Sequence, residues 1–444
     1  MATENFVSRA RYYDALLAAL DREVRVELTS ERAKFLYAAA RRILARLSTV
    51  NANVPALAEN LSAEHPESPN ATAGEGDAAA LHRALLQEGR LLDAIEEGVQ
   101  LRLSDPAPTT AATVQFAPAT DAAIEAYLQA HVDPTLRLVK SRILAGGRSK
   151  QTILLTLTNA RHEEIERVVR RDLVVAITGG TVVDEFRVLE ALADRDYPVP
   201  RPFLLEADSG ALGSAFMLMQ KVNGALAGDI FEPPASRESV LQSARALGRL
   251  HGMPVGEIAA TLRASLRSAP SATQLREAIH DLRRMWHTHS RAPCITMDAV
   301  FDWLLGNLDS VSQLSSVVHG DYSYHNLLFD GTDLSAVMDW ELVRIGHPAE
   351  DVGYIRAAAI QRVEWPEFMA AYRAGGGLEL SQVDVTFYCL IGKLRLMRLL
   401  FGARQYFESG ATDDLQLADV SIYHLPRLIQ QASYEIRAAL GLTA

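Results

Sequence analysis

The chain has 444 residues, more than one hydrophobic core usually spans, so two or three folding units are expected. Hydrophobic residues make up 48% and charged residues 22%, which is ordinary for a soluble globular protein. The formal net charge of -11 argues against a general nucleic-acid-binding protein, because such proteins present a basic surface.

Cysteine occurs only twice, as Cys294 and Cys389, far apart in the sequence. This pattern predicts neither a disulfide framework nor a CxxC metal site, and it fits a reducing compartment. The first residues lack a basic segment followed by an apolar core, and no run of about 18 apolar residues occurs. We therefore expect a cytoplasmic protein that neither carries a signal peptide nor contacts a membrane.

Residues 1–103 have the pattern of a helical accessory domain. Apolar residues recur at helical spacing near 6–20, 35–47 and 81–95, and three such helices suffice for a small bundle. We expect a structural role for it, with a homo-oligomer through this bundle as one option. The segment at 63–77 is rich in Pro, Gly and acid and indicates a loop, and residues 104–118 indicate a linker.

From residue 119 onward the pattern becomes that of a two-lobed α+β protein. A short helical pattern at 121–132 precedes β-rich segments at 136–144, 151–158, 166–177 and 215–222. These segments predict a small antiparallel β lobe over 119–222. Helical patterns dominate over 223–444 and predict a larger helical lobe, interrupted by a hairpin-like region between 317 and 343.

The hairpin-like region carries the residues that indicate an activity. Phosphoryl transfer needs a carboxylate beside the acceptor hydroxyl and oxygen ligands for a metal on the phosphates. Asp321 and Asn326 have the spacing of the kinase catalytic loop HRDxxxxN, and Asp339 stands on the next strand, where the DFG aspartate stands. His319, Asp321 and His325 could instead form an H-x-D-x3-H metal cluster, an alternative that leaves Asn326 and Asp339 unexplained.

This stretch, VVHGDYSYHNLLFDGTDLSAVMDWELVRIGHPAEDVGY, resembles the aminoglycoside phosphotransferase superfamily, and particularly its branch associated with acyl-CoA dehydrogenases. The family pattern HGDxxxxNLxF followed by hxDWExxxxGxPxxDxxY is met almost residue for residue. The resemblance covers residues from about 119 to 440. It implies a protein-kinase-like fold, next to the N-terminal helical bundle that the periodicity predicts, and an enzyme that uses ATP and Mg²⁺ as cofactors.

The resemblance also implies roles for individual residues. Asp321 would accept the proton of the substrate hydroxyl, Asn326 and Asp339 would hold Mg²⁺, and His319 would brace the loop. Asp351 matches a helix-start aspartate, for which we expect a structural role. His347 departs from the family pattern, which usually has Asp at this place.

A phosphate-covering loop is expected at AGGRSKQT, residues 145–152, between two β-patterned segments. Gly146 and Gly147 would let backbone N–H groups approach phosphate, and Ser149 could donate a further hydrogen bond. The family pattern GGxSNxT is met except that Lys150 replaces Asn, which adds a positive charge. A plain hairpin turn is the alternative.

The strand VVRRD has no lysine where a protein kinase carries its ATP-binding lysine, and Arg170 stands there. A guanidinium can clamp phosphate through two hydrogen bonds, so Arg170 is predicted to bind the nucleotide. We expect Arg171 to face solvent, although a one-residue error would exchange the two. Glu185 fits the helix glutamate that pairs with this cation, and a surface glutamate is the alternative.

The segment that follows the sheet resembles the family's interlobe hinge. The backbone around Gln220 to Val222 would contact adenine, whereas Met217 and Met219 are expected in the lobe core. Farther along the chain, His251 is expected to pack or cap a helix rather than to catalyse.

Two features bear on the substrate and favour different classes. Residues 301–444 carry 18 Asp and Glu against 10 Lys and Arg, which suits a cationic aminoglycoside or amino alcohol. Basic helices at 276–291 and 393–404 could instead contact a CoA phosphate. On the resemblance we favour a small-molecule hydroxyl substrate of the hydroxy acid or hydroxyacyl-CoA class. A hypothesis from another class is a catalytically silent ATP-binding scaffold protein.

Overall fold

The structure, a computed structural model, describes residues 119–144, 150–172, 180–208, 210–290, 294–408 and 423–442, together with parts of 20–99. Described residues at 40–47 and 83–90 are helical, in agreement with two of the three predicted N-terminal helices. The predicted helix at 6–20, apart from residue 20, the loop at 63–77 and the linker at 104–118 lie outside the described residues.

The chain divides into two compact units that interleave in sequence. One unit contains residues 1–112, 272–309 and 390–444, and the other contains residues 113–271 and 310–389. This division differs from a separate N-terminal domain that ends at residue 103, and the predicted domain boundaries stay predictions. All the predicted site residues belong to the second unit.

The predicted β lobe is confirmed as a five-stranded antiparallel sheet with the order β1-β2-β3-β5-β4. Its strands are β1 Arg137–Leu144, β2 Lys150–Thr158, β3 Glu164–Asp172, β4 Pro202–Glu206 and β5 Phe216–Gln220. Strand β4 was not predicted. It lies at an edge of the sheet and begins with a proline, which lowers the strand signal but is tolerated at an edge.

The two faces of the sheet are covered by different helices. Alternate side chains such as Ile153 and Phe216 form a core cluster with helix α1, Asp121–His131. The intervening positions, including Met217 and Met219, are buried against helix α2, Val182–Ala193. This alternation confirms that the two methionines are core residues, and it decides which arginine of β3 reaches the site.

Helix α2 begins at a capping box in which Thr181 and Asp184 satisfy each other's main-chain N–H groups. The other helices are α3 Arg237–His251, α4 Val255–Thr261, α5 Ala272–His289, α6 Ile295–Asn307, α7 Ala349–Ala359, α8 Trp365–Ala374, α9 Gln382–Glu408 and α10 Leu425–Ala439. None of the helices in the described residues is both long and apolar enough to cross a bilayer.

The predicted hairpin-like region is built from short strands. Strands β6 Ala225–Leu226, β8 Leu327–Asp330 and β9 Asp333–Val337 form one sheet, and β7 Ser316–Val318 pairs with β10 Arg344–Gly346. The loop from β7 to β8 and the turn from β9 to β10 therefore lie side by side. These two connections carry the candidate catalytic residues.

Candidate active site

The loop between β7 and β8 is held at its start by Asp351, in the first turn of α7. The Asp351 carboxylate accepts hydrogen bonds from the main-chain N–H groups of His319 at 2.7 Å and Gly320 at 2.8 Å. Gly320 has a φ of 84°, and a Cβ there would lie 2.6 Å from the carbonyl oxygen of Leu342, so this position requires glycine. The contacts agree with the structural role expected for Asp351.

His319 is fully buried, and both of its ring nitrogens are engaged. Nε2 donates to the carbonyl oxygen of Met338 at 2.8 Å, and Nδ1 accepts from the main-chain N–H of Asp321 at 3.2 Å. The ring also lies against Trp340, with centroids 4.6 Å apart. This bonding is that of the neutral Nε2–H tautomer. His319 therefore braces the loop and has no nitrogen left for a metal.

The Asp321 carboxylate is only partly buried and faces several donors. His325 Nε2 lies 3.2 Å from Oδ2, Asn326 Nδ2 donates to the same oxygen at 2.9 Å, and Tyr354 supplies a further hydrogen bond. Burial would raise the pKa of Asp321, but the charge and hydrogen bond of His325 outweigh burial and lower it. The group is therefore ionised at neutral pH, as a proton acceptor must be.

Asn326 and Asp339 are brought together by the β8–β9 pairing. The main-chain N–H of Met338 donates to the carbonyl oxygen of Asn326 at 2.8 Å, and Asp339 follows directly. Because the Asn326 amide nitrogen donates to Asp321, its side-chain oxygen is the atom left for a cation. The Asp339 side chain is 31% exposed. An amide oxygen and a carboxylate are ligands that suit Mg²⁺.

The alternative H-x-D-x3-H metal cluster receives no support. Within the described part of the chain, no group of three or more His, Cys, Asp or Glu side chains is arranged to hold a metal ion. His319 in particular is occupied by Met338 and Asp321.

Arg170 joins the sheet to α2 and to the turn after β9. Its Nε lies 2.8 Å from Glu185 Oε2, and its terminal nitrogen lies 2.6 Å from Asp339 Oδ1. Burial opposes the charge of Arg170, but Glu185 and Asp339 outweigh burial and raise its pKa. Glu185 is buried and pairs with Arg170, so the surface-glutamate alternative is wrong.

Arg171 points to the opposite face of the sheet, as the strand alternation requires. Its Nε donates to Gln151 Oε1 at 2.7 Å, and its guanidinium also bonds the carbonyl oxygen of Leu212. The side chain is only 2% exposed, so the prediction that Arg171 faces solvent is wrong. The reason is that α1 covers this face of the sheet and that polar partners within the core satisfy the guanidinium.

The predicted phosphate loop is described only at its last residues. Gly146, Gly147 and Ser149 lie outside the described residues, and their assignment stays a prediction. Lys150 opens β2, where its buried ammonium contacts Gly180, Asp172 and Glu341. Its predicted contact with a phosphate is likewise untested.

The predicted adenine contacts lie at the end of β5. The main-chain N–H of Gln220 donates to the carbonyl oxygen of Arg201 at 2.8 Å. That donor is therefore taken, and contacts with a purine would have to come from the Gln220 carbonyl and from residues up to Val222. Both assignments stay predictions.

His251 supports the catalytic loop from α3. Its Nε2 lies 3.1 Å from Asp351 Oδ2, and its Nδ1 lies 2.9 Å from the hydroxyl of Tyr372. All three side chains are buried. A packing or capping role was expected for His251, and the hydrogen bonds from Tyr372 through His251 to Asp351 extend that role to the catalytic loop. The sequence carries no local signal for these hydrogen bonds, because the three residues are far apart in the chain and only the fold buries them together.

A small antiparallel sheet lobe, a helical lobe and an Asp-Asn-Asp constellation beside an arginine–glutamate pair define a phosphotransferase with the protein-kinase-like fold. The family model of the phosphotransferase enzyme family, APH, matches residues 140–385. This is more than half of the chain, and the chain belongs to that family.

The chain is also similar to individual proteins, either over a shorter stretch of sequence or at lower sequence identity. A putative aminoglycoside phosphotransferase from Ralstonia eutropha has 21% identity and a TM-score of 0.54, and the match covers 71% of this chain and 98% of that one. This likeness shows the fold.

Two curated relatives are each 29% identical. The match to acyl-CoA dehydrogenase family member 11 of Gallus gallus covers 41% of this chain and 23% of the relative, so the chain spans less than a quarter of that protein. The match to viomycin phosphotransferase of Streptomyces vinaceus covers 51% of this chain and 78% of the relative.

Proposed function

We propose that the chain transfers the γ-phosphoryl group of ATP to a hydroxyl of a small molecule, with Mg²⁺ required. The observation that carries this proposal is the constellation around Asp321. An ionised carboxylate lies within hydrogen-bond distance of Asn326, and the β8–β9 pairing brings Asp339 beside Asn326. Protein kinases use a carboxylate, an asparagine and a second, metal-binding aspartate of this kind for phosphoryl transfer.

Each group has a defined part in the proposed reaction. Asp321 orients the acceptor hydroxyl and takes its proton as the oxygen attacks phosphorus and the bond to ADP breaks. Asn326 and Asp339 would hold Mg²⁺, which would neutralise phosphate charge. Arg170 is held between Glu185 and Asp339 and would clamp phosphate oxygens with its guanidinium.

For the acceptor we propose a hydroxy acid or a hydroxyacyl-CoA. The match to a protein named as an acyl-CoA dehydrogenase family member supports this class. The arginines of α5, which could contact a CoA phosphate, give this class less support than their number suggests. Arg283 lies 2.9 Å from Asp302, and Arg284 pairs with Asp281, so acidic neighbours offset part of their charge.

An aminoglycoside or amino alcohol is the second candidate. The match to viomycin phosphotransferase covers most of that relative, and the acidic balance of residues 301–444 suits a cationic acceptor.

The test is a screen for ADP release with Mg·ATP against hydroxyacyl-CoAs, free hydroxy acids, amino alcohols and aminoglycosides. Asp321→Asn is the matched blank, because it keeps the shape of the side chain and removes the proton acceptor. We expect turnover with a member of the first two classes, and a loss of about 10²-fold or more in the blank. Turnover confined to cationic acceptors would establish the second candidate. Tight Mg·ATP binding without turnover on any acceptor would favour the silent scaffold, and the absence of ATP binding would overturn the proposal.

A further inference from the structure

Lys150 is a buried cation whose ammonium group contacts three acceptors within the protein. Its side chain is 1% exposed. Nζ lies 2.6 Å from the carbonyl oxygen of Gly180, 3.2 Å from Asp172 Oδ1 and 3.4 Å from Glu341 Oε2. Nζ donates hydrogen bonds to Gly180 and Glu341 and forms an ion pair with Asp172, so this buried ammonium group is held by three protein acceptors and does not face solvent, from which a phosphate would approach.

The three acceptors belong to different elements. Asp172 ends β3 and also accepts the main-chain N–H of Val182, the first residue of α2, at 3.0 Å. Gly180 lies just before α2, and a Cβ at Gly180 would lie 2.5 Å from the carbonyl oxygen of Glu341. The start of α2 and the turn at Glu341 are therefore in close contact, and Lys150 bonds both.

The turn that Glu341 belongs to needs such support. Asp339, two residues earlier, has φ 64° and ψ 68°, a left-handed conformation that costs a non-glycine residue energy. Glu185 holds one side of the turn by accepting the main-chain N–H of Trp340 at 3.3 Å. The contact from Lys150 to Glu341 holds the next residue along.

We propose that Lys150 is a positioning residue that keeps the Asp339 turn in its metal-binding conformation by holding Glu341, and that it is not a phosphate ligand. The proposal rests on the proposed function, because it takes Asp339 as a Mg²⁺ ligand. Arg170 and Lys150 then form two parallel ionic links from the sheet to α2 and to the same turn. Arg170 contacts Asp339 itself, and Lys150 contacts Glu341, two residues farther along.

The test separates metal-dependent from metal-free nucleotide binding. Calorimetry measures the affinity for ADP with and without Mg²⁺ in the wild type, Lys150→Gln, Glu341→Gln and the double variant. We expect each single variant to lower the Mg²⁺ enhancement of ADP affinity about tenfold and to leave metal-free affinity within about threefold. The double variant should be no worse than either single variant, because both remove one contact.

A matched control separates positioning from a general loss of stability. Asp172→Asn removes a carboxylate from the same cluster and keeps the contact between Lys150 and Glu341. It should lower the melting temperature, as the other variants do, and keep the Mg²⁺ enhancement. An equal loss of enhancement in Asp172→Asn would overturn the proposal, because Lys150 would then act only through stability.

Other outcomes also overturn it. A tenfold loss of metal-free ADP affinity in Lys150→Gln but not in Glu341→Gln would make Lys150 a phosphate ligand. If only Glu341→Gln lowers the Mg²⁺ enhancement of ADP affinity, Glu341 supports the metal without Lys150. If the wild type shows no Mg²⁺ enhancement, the proposed function fails as well, whereas enhancement that survives both variants defeats only the role of Lys150.

Discussion

Asp351 is the residue on which the position of the catalytic loop depends. It is completely buried, and it accepts from two main-chain N–H groups of the loop and contacts the imidazole of His251. Burial would raise the pKa of Asp351, but the hydrogen bond and charge of His251 outweigh burial and lower it. The carboxylate is thus stabilised in its ionised form by the fold.

The lowered pKa predicts how stability depends on pH. The pKa of an aspartate in the unfolded chain is about 3.9, so the contribution of Asp351 to stability is fully present above that pH and is lost as the pH falls through the lower pKa of the folded state. Asp351→Asn should cost about 1.5–3 kcal/mol at pH 7, because one charged acceptor is lost. Urea titrations at pH 7 and below pH 4 check this prediction. A difference between wild type and variant that stays constant down to pH 3 would contradict it.

The two adjacent arginines of β3 offer a matched pair of variants. Arg170 binds Glu185 and Asp339 through two arms of one guanidinium, which a lysine cannot reproduce. Arg170→Lys should raise the KM for ATP about tenfold, as expected when one charge-assisted hydrogen bond is lost. Arg171→Lys should lower the melting temperature and leave that KM unchanged, since Arg171 faces α1. Steady-state kinetics and thermal melts test both expectations. Equal KM values for ATP in the two variants would show that Arg170 does not bind the nucleotide.

At the scale of elements, α3 and α8 approach each other through glycine. A Cβ on Gly248 in α3 would collide with the carbonyl oxygen of Tyr372 in α8. Main-chain atoms cannot move as a flexible side chain can, so the helices would have to separate. Helix α3 also carries His251, and α8 carries the Tyr372 hydroxyl that bonds it. The close approach therefore supports the catalytic loop through both helices.

Gly248→Ala should destabilise the protein by about 1–3 kcal/mol through overpacking. It should also lower kcat, because His251 would move away from Asp351. Gly256→Ala is the control, since a Cβ there meets nothing within 4 Å and alanine favours the helix. Denaturant unfolding and kcat for both variants test this expectation. A Gly248→Ala protein as stable and active as the control would show that α3 and α8 do not need this spacing.

The elements differ in how far the sequence predicts them. The motif spacing predicted Asp321, Asn326 and Asp339 because these residues lie on two connections that one hairpin brings together. Strand alternation predicted that Arg170 and Arg171 point in opposite directions. It could not predict that Arg171 is buried, because the helix that covers this face, α1, lies about 40 residues earlier in the chain and its position depends on tertiary packing. The bond between His251 and Asp351 joins residues 100 positions apart, and no local pattern reports such a distance.

At the scale of the whole molecule, the N-terminal residues belong to a unit that includes segments from far along the chain. Glu96 lies 3.1 Å from Arg46 and 2.9 Å from Arg427 in α10. Glu88 accepts the main-chain N–H of Thr296 at the start of α6, at 2.7 Å. These contacts are buried or partly buried and connect three separate stretches of sequence. The N-terminal residues that the structure describes are therefore part of the packing of α6 and α10.

A fragment spanning residues 119–444, which keeps the whole family match, should for this reason fail to fold cooperatively. It lacks Glu96 and Glu88, which leaves Arg427 and the start of α6 without these acceptors, and it uncovers Tyr423, which packs with Ala45 and Val99. Size-exclusion chromatography and thermal melting compare the fragment with the full chain, and co-expression of residues 1–112 should restore a cooperative transition. If the fragment is instead monomeric and melts at the temperature of the full chain, the N-terminal part is a separable accessory domain. The unit that packs α6 and α10 would then hold together without it.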